Sequence, residues 1–277
     1  MQGQFPTLDQ DGIGDTRRAL HAYAKILGAW LKAVRSRRKH WWHASLRPSL
    51  NGLSTGVVRT TTDFELELDL LASRLVARVH GKENRQDLTG QSAASLAAWL
   101  DDVLLDSGVD RKLAPGDDLR TGQDYAGYSR QGAVAMHGAL ASVARALEEL
   151  RAGIREETSP IQVWPHHFDL SMIWLPGAKI PGQDPADEEY ADKQMNFGFV
   201  FGDDSIREPY LYVTAYPLPE TLPSVELPAG TAWQSEGFSG AVLHYADLVS
   251  NAEPDVYLSN LWTTLLDAAR PELAENN

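Results

Sequence analysis

Between Asp15 and Arg38 the apolar residues Leu20, Tyr23, Ala24, Leu27, Trp30, Leu31 and Val34 return every three or four positions, the spacing of one face of an α-helix. The cationic run Arg35, Arg37, Arg38 and Lys39 closes that helix where its dipole favours positive charge, and reads as a solvated terminus, with phosphate binding as the alternative. His40 to Leu46 then reads as a strand, with Pro48 and Asn51-Gly52 as turn signals. Next, Phe64, Leu66, Leu68 and Leu70 alternate with Glu65, Glu67 and Asp69, and Leu75, Ala77 and Val79 alternate with Arg74 and Arg78. This alternation predicts an antiparallel hairpin whose outer face is solvated and ion-paired. A shorter helix is predicted over Ser95 to Asp106, with Gly108 as its stop.

From Val109 to Arg130 no period is visible, and Pro115-Gly116-Asp117-Asp118, Gly122 and Gly127 mark a connecting loop. Met136, Leu140, Val143, Leu147, Leu150 and Ile154 predict a second long helix ending before Ser159-Pro160. Ile161 to Leu175 reads as one strand up to Pro176-Gly177. Phe197, Phe199 and Phe201, the turn Gly202-Asp203-Asp204 and the return Tyr210 to Tyr216 form a further hairpin. A short strand around Ala241 to Tyr245 and a last helix on Leu258, Leu261, Trp262, Leu265 and Ala269 complete the chain.

Both halves show a long helix, a strand with Trp and His, a hairpin and a Trp-bearing helix. The predicted class is α+β, a mainly antiparallel sheet covered by amphipathic helices. The shared order suggests duplication, with His43 and His167 in register; chance recurrence of the same order is the alternative. The boundaries are 1–108 for the first half, 109–130 for the connecting loop and 131–277 for the second half, the two packed as one unit.

Composition narrows the function classes. A net charge of -13 disfavours nucleic acid and anionic membrane as partners. No cysteine is present, which removes disulfides, thiolate metal sites and a cysteine nucleophile. The sequence shows neither a leader nor an apolar membrane span, so a soluble cytoplasmic protein is expected. No Gly-x-Ser-x-Gly, phosphate loop or Gly-x-Gly-x-x-Gly fingerprint occurs. The acidic group Asp184, Asp187, Glu188, Glu189 and Asp192 lacks the spacing of a calcium loop and reads as surface.

Candidate chemistry lies in Trp164-Pro165-His166-His167-Phe168-Asp169-Leu170. On a strand, His167 and Asp169 share a face, which makes them the candidate catalytic pair. Trp42 and His43 from the His40-Trp41-Trp42-His43 cluster, with Trp164, His166 and Glu208, are the candidate ligand-binding residues. Imidazole plus carboxylate also suits Zn, Mn or Fe, with His43, His167, Asp169 and Glu208 as the candidate metal set. The expected function is small-molecule binding or catalysis at a Trp/His-lined pocket between the halves. The alternative is a non-enzymatic structural or interaction module in which His and Asp form a hydrogen-bond network.

The blocks Trp164 to Phe168-Asp169-Leu170, Phe199 to Gly202-Asp203, Glu208-Pro209-Tyr210-Leu211-Tyr212-Val213, Tyr216-Pro217 and His40-Trp41-Trp42-His43 resemble those of an uncharacterised bacterial family. It is the domain of unknown function numbered 5996. The resemblance spans most of the chain but implies no activity. In some members Gly-Ser stands where His166-His167 stands here, so the resemblance does not make a metal at these histidines a family-wide property.

Overall fold

The helices are α1 (Gln10–Val34), α2 (Ala93–Asp106), α3 (Arg130–Ala152), α4 (Tyr245–Ser250) and α5 (Pro254–Ala274). The strands are β1 (Arg47–Pro48), β2 (Gly52–Ser54), β3 (Phe64–Asp69), β4 (Arg74–Val79), β5 (Lys82–Asp87), β6 (Glu157–Thr158), β7 (Gln162–Trp164), β8 (Asp169–Leu175), β9 (Gln194–Val200), β10 (Tyr210–Tyr216), β11 (Thr231–Gln234) and β12 (Gly240–His244). This computed structural model describes residues 5–110, 113, 122–187 and 190–275, without the side chains of residues 10 and 11. Pro115-Gly116-Asp117-Asp118 of the predicted connecting loop, and Glu188 and Glu189 of the acidic group, lie outside the described residues.

Antiparallel sheets with helices make the class α+β. The chain divides into an N-terminal unit, residues 8–140 with 163–168, and a C-terminal unit, residues 1–7, 141–162 and 169–277. The dividing line falls within α3, not in the 109–130 stretch.

In the N-terminal unit the predicted stripe of α1 is fully buried from Leu20 to Leu31, with Trp30 edge-on to Phe64 of β3 at 6.1 Å. Helix α2 opens on Ser92, whose hydroxyl accepts the Ser95 N–H and so satisfies a donor of the first turn. The sheet is a plain antiparallel meander, β1-β2-β3-β4-β5. Strand β5, Lys-Glu-Asn-Arg-Gln-Asp, has no apolar residue and therefore no period in the sequence; its backbone ladder with β4 holds it as a charged edge.

The predicted hairpin pairs in the expected register, Glu65 opposite Arg78 and Asp69 opposite Arg74. Its outer face is not solvated throughout. Glu67 is only 5% exposed, 2.7 Å from Arg78, and accepts the Ser49 hydroxyl at 2.7 Å.

The C-terminal unit orders six strands β11-β12-β10-β9-β8-β6. Its core face packs on α5, with Phe197 edge-on to Trp262 at 6.3 Å. Lys193, buried, donates to the Glu272 and Glu275 carbonyls at 3.0 and 2.8 Å and so caps the C-terminal end of α5. Asp192 of the predicted acidic surface is likewise buried, and pairs with Lys179.

The duplication expected from element order is corrected by this topology. The first sheet is sequential throughout, whereas in the second β12, not β11, pairs with β10. His40 to Leu46 is not a strand either: Lys39–Ala44 is a 3-10 turn in which His40 (φ 48°) and Trp41 (φ 55°) are left-handed. Ile161 to Leu175 is two strands, broken between Trp164 and Asp169.

Candidate functional site

The break between β7 and β8 is a turn closed by the Phe168 N–H donating to the Trp164 carbonyl at 2.7 Å. Pro165 lacks an N–H for a ladder, and Phe168 is left-handed (φ 59°), so the alternation of a strand stops there. His167 therefore lies in the turn and Asp169 begins β8, and the shared strand face expected of this pair does not exist.

Both His/Trp motifs of the N-terminal unit meet α1. The residues at 21, 25, 28, 32 and 35 form a stripe at helical spacing: His21, Lys25, Gly28, Lys32 and Arg35. The Nε2–H of His21 donates to the His166 carbonyl at 3.0 Å, and its ring stacks on Phe168 at 5.6 Å. At Gly28 a Cβ would meet the Pro165 ring at 2.7 Å and the Ala44 carbonyl at 3.5 Å, so the absent side chain lets both turns close onto the helix. Arg35 donates to the Thr55 carbonyl at 2.7 Å and the His43 carbonyl at 3.5 Å. Leu46 and Val163 exchange two backbone hydrogen bonds of 2.9 Å and tie the segments together.

Aromatic and cationic groups crowd this face. Trp41 is 37% exposed, with the Lys32 ammonium 5.0 Å and the Arg37 guanidinium 5.1 Å from its ring centre, and it stacks on His43 at 5.5 Å. Lys39 lies 5.2 Å from the Trp42 ring. Trp164 is edge-on to His166 at 6.0 Å, and the exposed rings of His166 and His167 are 4.3 Å apart. His40 and His43 are buried, and the His43 Nδ1 accepts the Arg38 N–H at 3.2 Å.

Three of the imidazoles on this face, those of His21, His166 and His43, are held below their ordinary pKa. Burial, then Lys25 and Arg17, pushes His21 down to about 4. His166 also falls to about 4, through desolvation of its ring and then the neighbouring His167 and Lys32, although the residue reaches solvent. Burial and the cations Lys32 and Arg37 lower His43. Three of the five left-handed non-glycine residues among those described, His40, Trp41 and Phe168, fall in these two turns. Such backbone costs on the order of 1–3 kcal/mol per residue and persists only where packing enforces it.

A model of the family described as "Family of unknown function (DUF5996)" matches residues 5–274. The chain belongs to this family. No curated protein and no solved structure matches it. In this DUF5996 chain the candidate residues His43, Trp42, Trp164, His166 and His167 all lie in the N-terminal unit, on the α1 stripe or the turns that cover it.

Asp169 and Glu208 lie in the C-terminal unit. Asp169 is buried and accepts the Tyr212 hydroxyl at 2.5 Å. Glu208 is exposed in the bend before β10. Among the described residues no group of three or more His, Asp or Glu side chains is placed to hold a metal ion, so the four metal candidates do not form one. Also among those residues, no helix is long and apolar enough to cross a membrane.

The sequence reading missed His21, Lys32, Arg37 and Tyr212. The first two occupy the polar side of α1, and their spacing with Lys25 and Gly28 was a readable signal. Arg37 was read as a solvated terminus. Tyr212 was signalled only by Gly198, a glycine inside a strand, which marks a close approach by another group.

Proposed function

We propose that the Trp/His face on α1 binds a small molecule, with His166 and His167 as its exposed hydrogen-bonding groups and Trp41 as its aromatic wall. The observation that carries this reading is the concentration of left-handed backbone in the two turns that present these side chains. Strain kept at two chain-distant turns on one helix face is the pattern of a site held in shape for a ligand. Imidazoles beside an exposed indole offer hydrogen-bonding ring nitrogens, and the same groups suit acid-base chemistry on a bound substrate. In that enzymatic version His167 acts from its turn without Asp169 as its orienting carboxylate, because Asp169 accepts the Tyr212 hydroxyl.

A thermal-shift screen of small-molecule fragments on the full chain, followed by tryptophan fluorescence, tests the reading. Ligands should lose their shift in Trp41→Ala and His167→Ala. Hits that persist in both variants would show that binding lies elsewhere.

The Asp169–Tyr212 pair and the Arg38 N–H bond to His43 favour a second reading, in which these polar groups serve only to fix the fold. Under it no fragment binds at this face, and His43→Ala lowers stability without a functional effect.

A further inference from the structure

We infer that the Trp/His face takes a small ligand carrying an oxyanion, a phosphate or a carboxylate, engaged by Lys32 and Arg37 beside Trp41. The inference rests on the binding reading above and adds the charge of the ligand.

The charge distribution along the chain is the first ground. Residues 16–62 hold ten of the 25 Lys and Arg residues and none of the 38 Asp and Glu residues, in a chain of net charge -13. The segment 159–168, which supplies the second turn, has no acidic residue either. Segregation on this scale sets up a positive field over one region of an acidic protein, and such fields concentrate small anions.

Geometry turns the field into a site. Lys25 and Lys32 on the α1 stripe, with Arg35 just past the helix end, lie on the side on which both turns close. Lys32 and Arg37 converge on one exposed indole from different elements, at 5.0 and 5.1 Å. Contact with the ring restrains two otherwise mobile side chains, which lowers the entropy lost when an anion recruits them. Arg37 has the planar fork that grips two oxygens of a carboxylate or phosphate, and Lys32 supplies a point charge beside it. The exposed rings of His166 and His167, 4.3 Å apart, add hydrogen-bonding groups beside these cations.

Titration calorimetry of the full chain at low ionic strength with inorganic phosphate, benzoate and neutral indole tests the inference. Phosphate or benzoate should bind, and whichever binds more tightly identifies the anion class. Neutralising both cations (Lys32→Gln with Arg37→Gln) should weaken that affinity at least about tenfold while the melt stays close to wild type. Added salt should weaken it as well. Indole binding as tightly as either anion, or a double variant that keeps its affinity, would overturn the anion assignment and leave the binding reading standing. If neither anion nor indole binds, both readings fall.

Discussion

Tyr212 on β10 reaches across the intervening strand β9 to donate its hydroxyl to Asp169 on β8, over the bare backbone of Gly198. A Cβ at Gly198 would collide with the Tyr212 ring, so the glycine is what permits a tyrosine to span two strand spacings. Burial, and then the Asp169 carboxylate, keeps the phenol far above its ordinary pKa and therefore protonated. Tyr212 is therefore a fixed hydrogen-bond donor to Asp169 and not an acid near neutrality.

Gly198→Ala should cost about 2–4 kcal/mol, because it both overpacks the sheet and removes the bond to Asp169. Tyr212→Phe should cost about 1–2 kcal/mol, the loss of a hydrogen bond to a buried carboxylate without the steric component. Urea unfolding of the two variants measures the difference. Equal costs would show that sterics at Gly198 are irrelevant.

Charge removal on the first hairpin should divide sharply by burial. Glu67→Gln leaves Arg78 without its buried partner and should cost about 2 kcal/mol. Asp87→Asn breaks an exposed pair with Arg74 and should cost under about 1 kcal/mol. Chemical denaturation of both variants checks the ranking, and a costlier Asp87→Asn would reverse it.

Stability should fall as the pH drops from about 6.5 toward 4. His21 is held near 4 when folded against an ordinary 6.5 when unfolded. In that interval the unfolded chain binds a proton that the folded chain does not, so acid favours unfolding, and the effect levels off below the folded value. After allowance for partial solvent access, about 1–2 kcal/mol is expected. His21→Gln keeps an N–H for the His166 carbonyl and should flatten the slope. An unchanged slope, measured by urea unfolding at several pH values, would assign the effect to other groups.

His167→Ala should leave stability within about 0.5–1 kcal/mol of wild type, since the ring is exposed and its removal opens no cavity. Its expected effect is loss of ligand response in the fluorescence titration. A fall of several kcal/mol in the melt would mark it as a structural residue.

Elements that bury a periodic apolar stripe were readable from the sequence. Helix α1, the β3–β4 hairpin and strand Tyr210–Tyr216 follow the pattern because one face of each lies in a core. Strand β5 was invisible because it is held by backbone bonds and carries no apolar side chain. The two His/Trp motifs were recognised by composition, but their shape was not. An aromatic run looks like a strand unless the left-handed residues at His40, Trp41 and Phe168 are known, and none of them is a glycine that would announce such backbone. The error was consequential, since the pairing of His167 with Asp169 depended on strand alternation alone.

The N-terminal unit is stitched from pieces far apart in time as well as in sequence. Residues 8–140 are synthesised before residues 163–168 exist, so until then Leu46 has no Val163 to bond and Gly28 has no Pro165 to seat. The nascent unit can assemble its meander early, through local pairings that close cheaply. Its His166 turn arrives only after a closure spanning more than a hundred residues. A chain cut short in that interval would carry Lys32, Arg37 and the indoles of the Lys39–Ala44 turn without the imidazoles of His166 and His167.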